Sequence, residues 1–266
     1  MECFICNNQM EFFLEKNFDS KYNLDKVIYL KCVNCGFVSS KTHYEMSLSE
    51  WENLNEIYHS NYQGKNFNQD DPNWITRLES QAHIINFLYK NNFLSNNNPW
   101  LDWGCGDGKL SDILLEKDLH LLNFDPYMNK DKNYLSESDL NKNKFDFVIN
   151  TSVFEHVRDI ETLNNIENLV SNNGVFGIHT LVCEEIPKDP NWFYLLPVHC
   201  SFYTNKSMQI LFEKWKYQSS IYNVESKLWL WFKDDNKFIQ DATNNINSFL
   251  ENKLLYYKKG FMDYWK

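Results

Sequence analysis

The segment PWLDWGCGDGKLSD, from Pro99 to Asp112, decides the fold of this 266-residue chain. An apolar stretch is followed by Gly104, Gly106 and Gly108, and then by the beginning of an amphipathic pattern. A strand that turns into a helix through glycines presents backbone N–H groups to a ligand. The spacing matches neither the G-x-G-x-x-G pattern of dinucleotide sites nor the G-K-[ST] ending of a phosphate-binding loop. The stretch alone therefore predicts a ligand close to the backbone and leaves its identity open.

Strand and helix patterns alternate after this turn. Apolar runs at WLDWG, HLLNFD, FDFVINTS and VFGIHTLV are typical of strands, and helical periodicity occurs in KLSDILLEKD and DIETLNNIENLVS between them. The tripeptide NNG at residues 172–174 is predicted to be a turn. The alternation predicts the α/β fold class, with a mostly parallel sheet and helices on both faces.

The composition narrows the class of partner. The formal net charge is −10 at pH 7, and Arg77 and Arg158 are the only arginines. Nucleic-acid binding normally needs a basic surface, so a nucleic-acid partner is disfavoured. The chain has no apolar run of membrane-spanning length, and its first residues, MECFICNNQMEFF, lack the features of a secretory signal. We therefore expect a cytoplasmic protein without membrane insertion; the oligomeric state is not indicated.

Four of the seven cysteines form two C-x-x-C pairs, Cys3 with Cys6 and Cys32 with Cys35. Two such pairs about 25 residues apart are typical of a zinc ribbon, in which four thiolates hold Zn²⁺ tetrahedrally. The alternatives are four unrelated buried cysteines, or a redox dithiol, which needs only one pair beside a thioredoxin-like unit. A closed four-cysteine site leaves no open coordination position, so the predicted Zn²⁺ is structural and helps a small module to fold.

Asp125 narrows the choice of ligand, because it follows the next strand, 21 residues after Gly104. A carboxylate at that position accepts hydrogen bonds from ribose hydroxyls. LDWGCGDGKLS, FDFVINTSVFEHVRD, NNGVFGIHT and HCSFYTNKSMQILFEKWKY then occur in order within residues 74–223. They resemble the motifs of class I S-adenosylmethionine (SAM)-dependent methyltransferases. With the cysteine pairs, the chain resembles the zinc-ribbon methyltransferases encoded among bacterial surface-polysaccharide genes.

The resemblance implies a Rossmann-like methyltransferase domain over residues 74–266, a zinc ribbon over 1–40 and a linker or lid over 41–73. It also implies the residues that contact SAM. Gly104, Gly106 and Gly108 would line the methionine and ribose, with Cys105 in the same turn. Asp125 would bind the ribose hydroxyls. The other cofactor-binding candidates are Asp102 at the loop or the SAM amino group, Pro126 beside the adenine, Asn150 and Thr151 facing the methyl group, Arg77 at the SAM carboxylate or a substrate phosphate, and Tyr62 in the lid.

Several of these residues have a second interpretation that does not involve a ligand. Arg77 could instead pair with Asp71 or Glu79 at the surface. The aromatic stretch NWFYLLP could line the acceptor pocket, but such a run is more often part of a core. The family's acid that contacts adenine has no clear counterpart, since the segment after Asp125 is short and polar.

Methyl transfer from SAM requires positioning of the acceptor and removal of its proton. Histidine suits the second task because its pKa is near neutral. His199, in the irregular segment after the fifth strand, is the preferred base, with substrate positioning or packing as alternatives. His156 is a second catalytic candidate or a structural residue beneath the sheet. Glu155 would position the acceptor or cap the following helix.

The sequence therefore predicts a SAM-dependent methyltransferase with a structural Zn²⁺. The expected reaction is O-methylation of a small polar acceptor, such as a sugar, a nucleotide-linked sugar or a phosphoramidate group, in capsule or surface-glycan biosynthesis. One alternative is a zinc-ribbon RNA methyltransferase, which the net charge of −10 disfavours. The other is a SAM-binding protein without turnover, which the intact glycine loop and Asp125 disfavour. The sequence determines neither the acceptor nor the methylated atom, nor whether a divalent metal assists.

Overall fold

A computed structural model describes residues 1–60, 71–127, 134–234, 237–249 and 253–263 of the chain. These residues contain twelve strands and eight α-helices. The strands are β1 (Met10–Asn17), β2 (Lys26–Cys32), β3 (Val38–Ser40), β4 (Trp100–Trp103), β5 (Leu121–Phe124), β6 (Phe145–Thr151), β7 (Val170–His179), β8 (Val182–Cys183), β9 (Ser201–Thr204), β10 (Ser219–Asn223), β11 (Leu228–Phe232) and β12 (Leu255–Lys259). The helices are α1 (Lys41–Glu45), α2 (Leu48–His59), α3 (Trp74–Lys90), α4 (Lys109–Leu115), α5 (Glu137–Leu140), α6 (Ile160–Glu167), α7 (Asn205–Lys214) and α8 (Lys237–Ser248).

The larger sheet has seven strands in the order β12-β10-β11-β7-β6-β4-β5. β5, β4, β6 and β7 pair in parallel, whereas β11, β10 and β12 are joined by antiparallel pairs. Only β11 and β12 therefore run against the other described strands of this sheet. Because parallel strands end at the same edge, the segments that follow β4, β5 and β6 lie side by side.

Helices cover both faces of this sheet. One hydrophobic cluster holds α3, α4 and α8 against it, through side chains such as Ile85, Leu114 and Ile246. The other face carries α6 and α7. In β6 the neighbours Val148 and Ile149 belong to different clusters, as the alternating geometry of a strand requires. The prediction of an α/β fold with a mostly parallel sheet and helices on both faces is confirmed.

A second sheet joins the N-terminal strands to a segment far away in the sequence. Its order is β1-β2-β3-β9-β8, and β3 pairs antiparallel with β9. The Ser40 N–H donates to the Cys200 carbonyl at 2.8 Å, and Thr204 Oγ1 donates to the Cys35 carbonyl at 2.5 Å. The strands β1, β2 and β3 thus belong to the same sheet as β9, the strand directly before α7. The division into units at residues 40 and 73 stays a prediction.

One local prediction differs from the structure. The tripeptide at residues 172–174 lies inside β7 and is not a turn. A Cβ at Gly174 would lie 2.9 Å from the Phe145 carbonyl, so glycine lets β7 continue beside the beginning of β6. The last strand, β12, was not expected, because its aromatic and lysine residues give no clear strand pattern. None of the helices in the described ranges combines the length and the apolar character needed to span a bilayer.

Candidate active site

The glycine loop lies at the carboxyl end of β4, directly before α4. Gly104 and Gly106 have φ values of 76° and 57°, which residues with a side chain rarely adopt. The N–H groups of Gly104 and Cys105 donate to the Phe124 carbonyl at 2.8 and 3.1 Å, which ties the loop to β5. A Cβ on Gly104 would lie 2.6 Å from Val153 Cγ2, whereas one on Gly106 would meet nothing within 4 Å among the described residues. Gly104 is therefore tightly packed, and Gly106 borders open space as far as the described residues go.

Two buried aspartates lie next to this loop. The Asp125 carboxylate accepts hydrogen bonds from the Gly106 and Tyr127 N–H groups, both at 2.9 Å. Asp102, at the end of β4, is 1% exposed, and its Oδ1 has no hydrogen-bond partner in the part of the chain that the structure describes. Burial and the neighbouring Asp125 raise the pKa of Asp102 to about 8. A buried carboxyl oxygen without a partner fits a ligand that brings a donor or a positive charge, as the SAM amino group does.

The neighbouring strand β6 ends in two of the residues predicted to face the methyl group. Asn150 is fully buried, and neither its Oδ1 nor its Nδ2 has a hydrogen-bond partner among the described residues. Thr151 is the last residue of β6. Arg77 reaches this end from α3, because it donates to Ser152 Oγ at 3.5 Å. Arg77 also pairs with Asp71, as the surface interpretation suggested, although its side chain is only 16% exposed.

Beyond Thr151 the chain forms a short 3-10 turn that carries two of the three catalytic candidates. The donor atoms of Glu155, His156 and His199 all lie within 4.8 Å of one another. The two imidazole rings meet edge to face, with centroids 4.9 Å apart. The Cys200 N–H donates to the Glu155 carbonyl at 2.8 Å and holds the His199 segment in place. The structure thus brings together residues that are more than 40 positions apart.

Glu155 is held by two side chains that the sequence did not single out. Tyr194 Oη donates to Glu155 Oε1 at 2.7 Å, and Thr180 Oγ1 donates to Oε2 at 3.0 Å. Burial raises the pKa of the Glu155 carboxyl, and these two hydrogen bonds partly offset that effect. Tyr194 belongs to the aromatic stretch NWFYLLP, but nothing in its spacing pointed to Glu155.

Both histidines of the cluster are neutral at physiological pH. Burial lowers the pKa of His199 to about 3 and lowers that of His156 well below its ordinary value. His199 Nδ1 lies 2.9 Å from the Tyr194 carbonyl, so Nδ1 carries the proton and Nε2 keeps a lone pair. That lone pair can accept a proton or bind a cation. The low pKa makes Nε2 a weak proton acceptor in this form of the protein.

The remaining cofactor candidates lie at the edge of the loop, with one exception. Pro126 directly follows Asp125. Cys105 lies in the glycine turn, and burial raises the pKa of its thiol. Trp51 Nε1 of α2 donates to Tyr127 Oη at 3.1 Å, which links the predicted lid to this segment. Tyr62 lies outside the described residues.

The four cysteines of the two pairs converge at the N-terminal end of the molecule. Their sulfur atoms lie within 4.8 Å of one another, with 3.7 Å between Cys3 and Cys35 and 3.5 Å between Cys6 and Cys32. Zinc–sulfur bonds of about 2.3 Å in a tetrahedron place the sulfurs about 3.8 Å apart, so the cluster fits Zn²⁺. A hydrogen bond from the Cys35 thiol lowers the pKa of Cys3 to about 6, which favours a thiolate ligand.

Comparison with known proteins shows the family of this chain. Residues 74–218, more than half of the chain, match the family described as Methyltransferase domain. One similar crystal structure is a SAM dependent methyltransferase from Archaeoglobus fulgidus, with 15% identity, 66% of this chain and 92% of that chain covered, and a TM-score of 0.38. Another is magnesium protoporphyrin IX methyltransferase from Synechocystis PCC 6803 with bound SAH, with 12% identity, coverage of 60% and 84%, and a TM-score of 0.38. No curated protein matches the chain. By the family match, the chain belongs to the methyltransferase domain family, and it is a SAM-dependent methyltransferase.

Proposed function

We propose that this enzyme transfers the methyl group of SAM to a hydroxyl of a small polar acceptor at the cluster of Glu155, His156 and His199. The observation that carries this proposal is the packing of the glycine loop against the segment after β6. Gly104 fits against Val153, which lies two residues before Glu155. A cofactor bound along the glycine loop therefore lies next to the only cluster of two histidines and a carboxylate found in the described residues.

SAM would be held by the loop and the two aspartates. Gly106 borders the open space in which the methionine and ribose would lie, and Asp125 would turn toward the ribose hydroxyls. Asp102 would receive the SAM amino group, which gives its buried Oδ1 a partner. Asn150, also buried with unpartnered amide atoms within the described residues, would bind a polar group close to the sulfonium.

The chemical step needs little from the protein beyond positioning, because the sulfonium already activates the methyl carbon. In this proposal the acceptor hydroxyl would attack that carbon in line, the bond to sulfur would break, and SAH would leave. His199 would take the hydroxyl proton on Nε2, since its Nδ1 is oriented by the Tyr194 carbonyl. His156 and Glu155 would hold the acceptor.

The acceptor class comes from the resemblance to the surface-polysaccharide enzymes and from the charge of −10. A strongly acidic enzyme is a poor partner for an RNA polyanion, so a sugar, a nucleotide-linked sugar or a phosphoramidate group is the proposed acceptor. In this proposal the enzyme works in the cytoplasm on a capsule or surface-glycan precursor. The four cysteines hold a structural Zn²⁺.

The proposal is tested with isotope-labelled SAM and a panel of nucleotide sugars and glycan precursors. With an accepted substrate, His199→Ala should lower kcat by about 100-fold or more, while SAH binding by calorimetry stays within about twofold of the wild type. His120→Ala, at an exposed histidine, is the matched control and should change neither value. An unchanged kcat in His199→Ala would exclude His199 as the base. Labelling of RNA but of no small acceptor would overturn the proposed acceptor class.

A further inference from the structure

The cluster of Glu155, His156 and His199 has the donor set of a transition-metal site. Two imidazoles and one carboxylate hold zinc in several hydrolases, in which the remaining coordination position is left to water or substrate. The donor atoms of the three residues lie within 4.8 Å of one another. Donors at about 2.1 Å from one cation in a tetrahedron lie about 3.4 Å apart, so the most widely separated donors must close by at most about 1.4 Å.

Hydrogen bonds from neighbouring groups orient the donor side chains, as they do for the ligands of a metal site. A metal-bound histidine usually donates its other N–H group to a carbonyl or carboxylate. His199 makes this bond to the Tyr194 carbonyl, and the backbone of Val198 hydrogen-bonds His156. His156 Nδ1 is buried and has no hydrogen-bond partner in the described part of the chain.

The carboxylate has room for a cation as well. The hydroxyls of Tyr194 and Thr180 each take one lone pair of Glu155, one on each oxygen. An ionised carboxylate offers about four lone-pair sites, so one on each oxygen is left. Tyr194 thus orients two of the three donors at once, with its hydroxyl on Glu155 and its carbonyl on His199.

We propose that Glu155, His156 and His199 bind a divalent transition-metal cation of the zinc type, at a second centre that shares no ligand with the four cysteines. Imidazole nitrogen favours Zn²⁺, Co²⁺, Ni²⁺ and Fe²⁺ over Mg²⁺ and Ca²⁺. His156 as a whole is partly exposed, whereas its Nδ1, the nitrogen left for the cation, is buried.

Cation binding has a consequence for methyl transfer that rests on the proposed function. A bound cation occupies Nε2 of His199, the nitrogen proposed as the proton acceptor. The cation and the proton-accepting role therefore exclude each other, and added Zn²⁺ should inhibit methyl transfer in proportion to occupancy of this centre. Binding itself is measured without SAM or acceptor, so it can succeed or fail independently of the proposed reaction.

The test is a titration of the full chain, with its cysteine centre already loaded with Zn²⁺, by Co²⁺ alone. We expect one further equivalent of Co²⁺, with the weak visible absorption of nitrogen and oxygen ligands and without a thiolate charge-transfer band. His156→Ala and His199→Ala should each weaken this binding at least tenfold, and Glu155→Gln should weaken it as well. Mg²⁺ in excess should not displace the Co²⁺.

His83→Ala, at an exposed histidine of α3, is the matched control and should bind Co²⁺ like the wild type. SAH binding and far-UV circular dichroism identify any variant that fails to fold; Glu155→Gln, which keeps the side-chain volume, then tests the site in its place. Absence of a further equivalent in the wild type would overturn the proposal. So would a further equivalent that all three site variants retain.

Discussion

Replacing Gly104 by alanine should destabilise the protein through two separate effects that can be measured apart. The first is backbone strain, because a side chain at φ 76° costs about 1–2 kcal/mol. The second is a collision, because the new Cβ would lie 2.6 Å from Val153 Cγ2, where ordinary contacts begin at 3.4 Å. Val153 is buried and β-branched, so it cannot rotate away easily. Overpacking of this kind costs about 1–3 kcal/mol, and the two effects together give about 2–5 kcal/mol.

Gly106→Ala is the matched control for the strain alone. It has φ 57° but no described atom within 4 Å of the added Cβ. We therefore expect a loss of about 1–2 kcal/mol in the free energy of unfolding. Because the added methyl group enters the space proposed for SAM, the variant should also bind SAH at least tenfold more weakly.

Val153→Ala removes the atom with which the new side chain collides. In that background Gly104→Ala should cost only the strain of about 1–2 kcal/mol, which gives a coupling of about 1–3 kcal/mol in a double-mutant cycle. Urea unfolding of the four proteins, followed by fluorescence and circular dichroism, measures each value. If Gly104→Ala costs the same with valine and with alanine at position 153, the collision with Val153 is not the cause.

Three further results are expected. Burial lowers the pKa of His43 from 6.5 to about 4, so its neutral form stabilises the fold above pH 6.5, and this stability is lost as the pH falls toward 4. The unfolding free energy should therefore decrease between pH 7 and pH 5 by about 2 kcal/mol less in His43→Gln than in the wild type. Equal decreases in the two proteins would contradict this. Cys32→Ser should lower the zinc content by about one equivalent per chain and reduce hydrogen-exchange protection in β9, which pairs with β3. Unaltered protection, measured by mass spectrometry, would show that β9 is held without the metal. Asp102→Asn should raise the unfolding free energy at pH 8, because the buried carboxyl, with a pKa of about 8, resists ionisation in the folded protein. The same variant should bind SAH more weakly in calorimetry. Unweakened binding would show that Asp102 does not belong to the cofactor site.

Local sequence patterns were sufficient to predict those elements whose structure depends on residues close together in the chain. The predicted helical segments KLSDILLEKD and DIETLNNIENLVS contain α4 and α6, because apolar residues recur there with the period of a helix. The glycine turn was recognisable for a similar reason, since positive φ angles at closely spaced positions require glycine. The two identical C-x-x-C spacings predicted that the four cysteines share one site, and in the structure their sulfur atoms converge.

The contacts that the catalytic candidates make could not be predicted from local sequence patterns. Tyr194 and Thr180 both bind Glu155, yet they lie 39 and 25 positions away from it. The pairing of β3 with β9 joins segments more than 160 residues apart. Contacts of this range depend on how whole elements pack, and no periodicity or spacing within either segment carries that information.

By itself, the sequence determined the α/β fold, the glycine loop and the cysteine set, because each depends on the backbone requirements and periodicity of neighbouring residues. Only the tertiary structure decided that His156 and His199 meet beside Glu155, with donor atoms within 4.8 Å of one another. It also decided that Asp102 and Asn150 are buried with polar atoms that lack partners within the described chain. These features arise where the ends of parallel strands and a distant loop come together, and burial there sets which nitrogen and oxygen atoms remain available for a ligand.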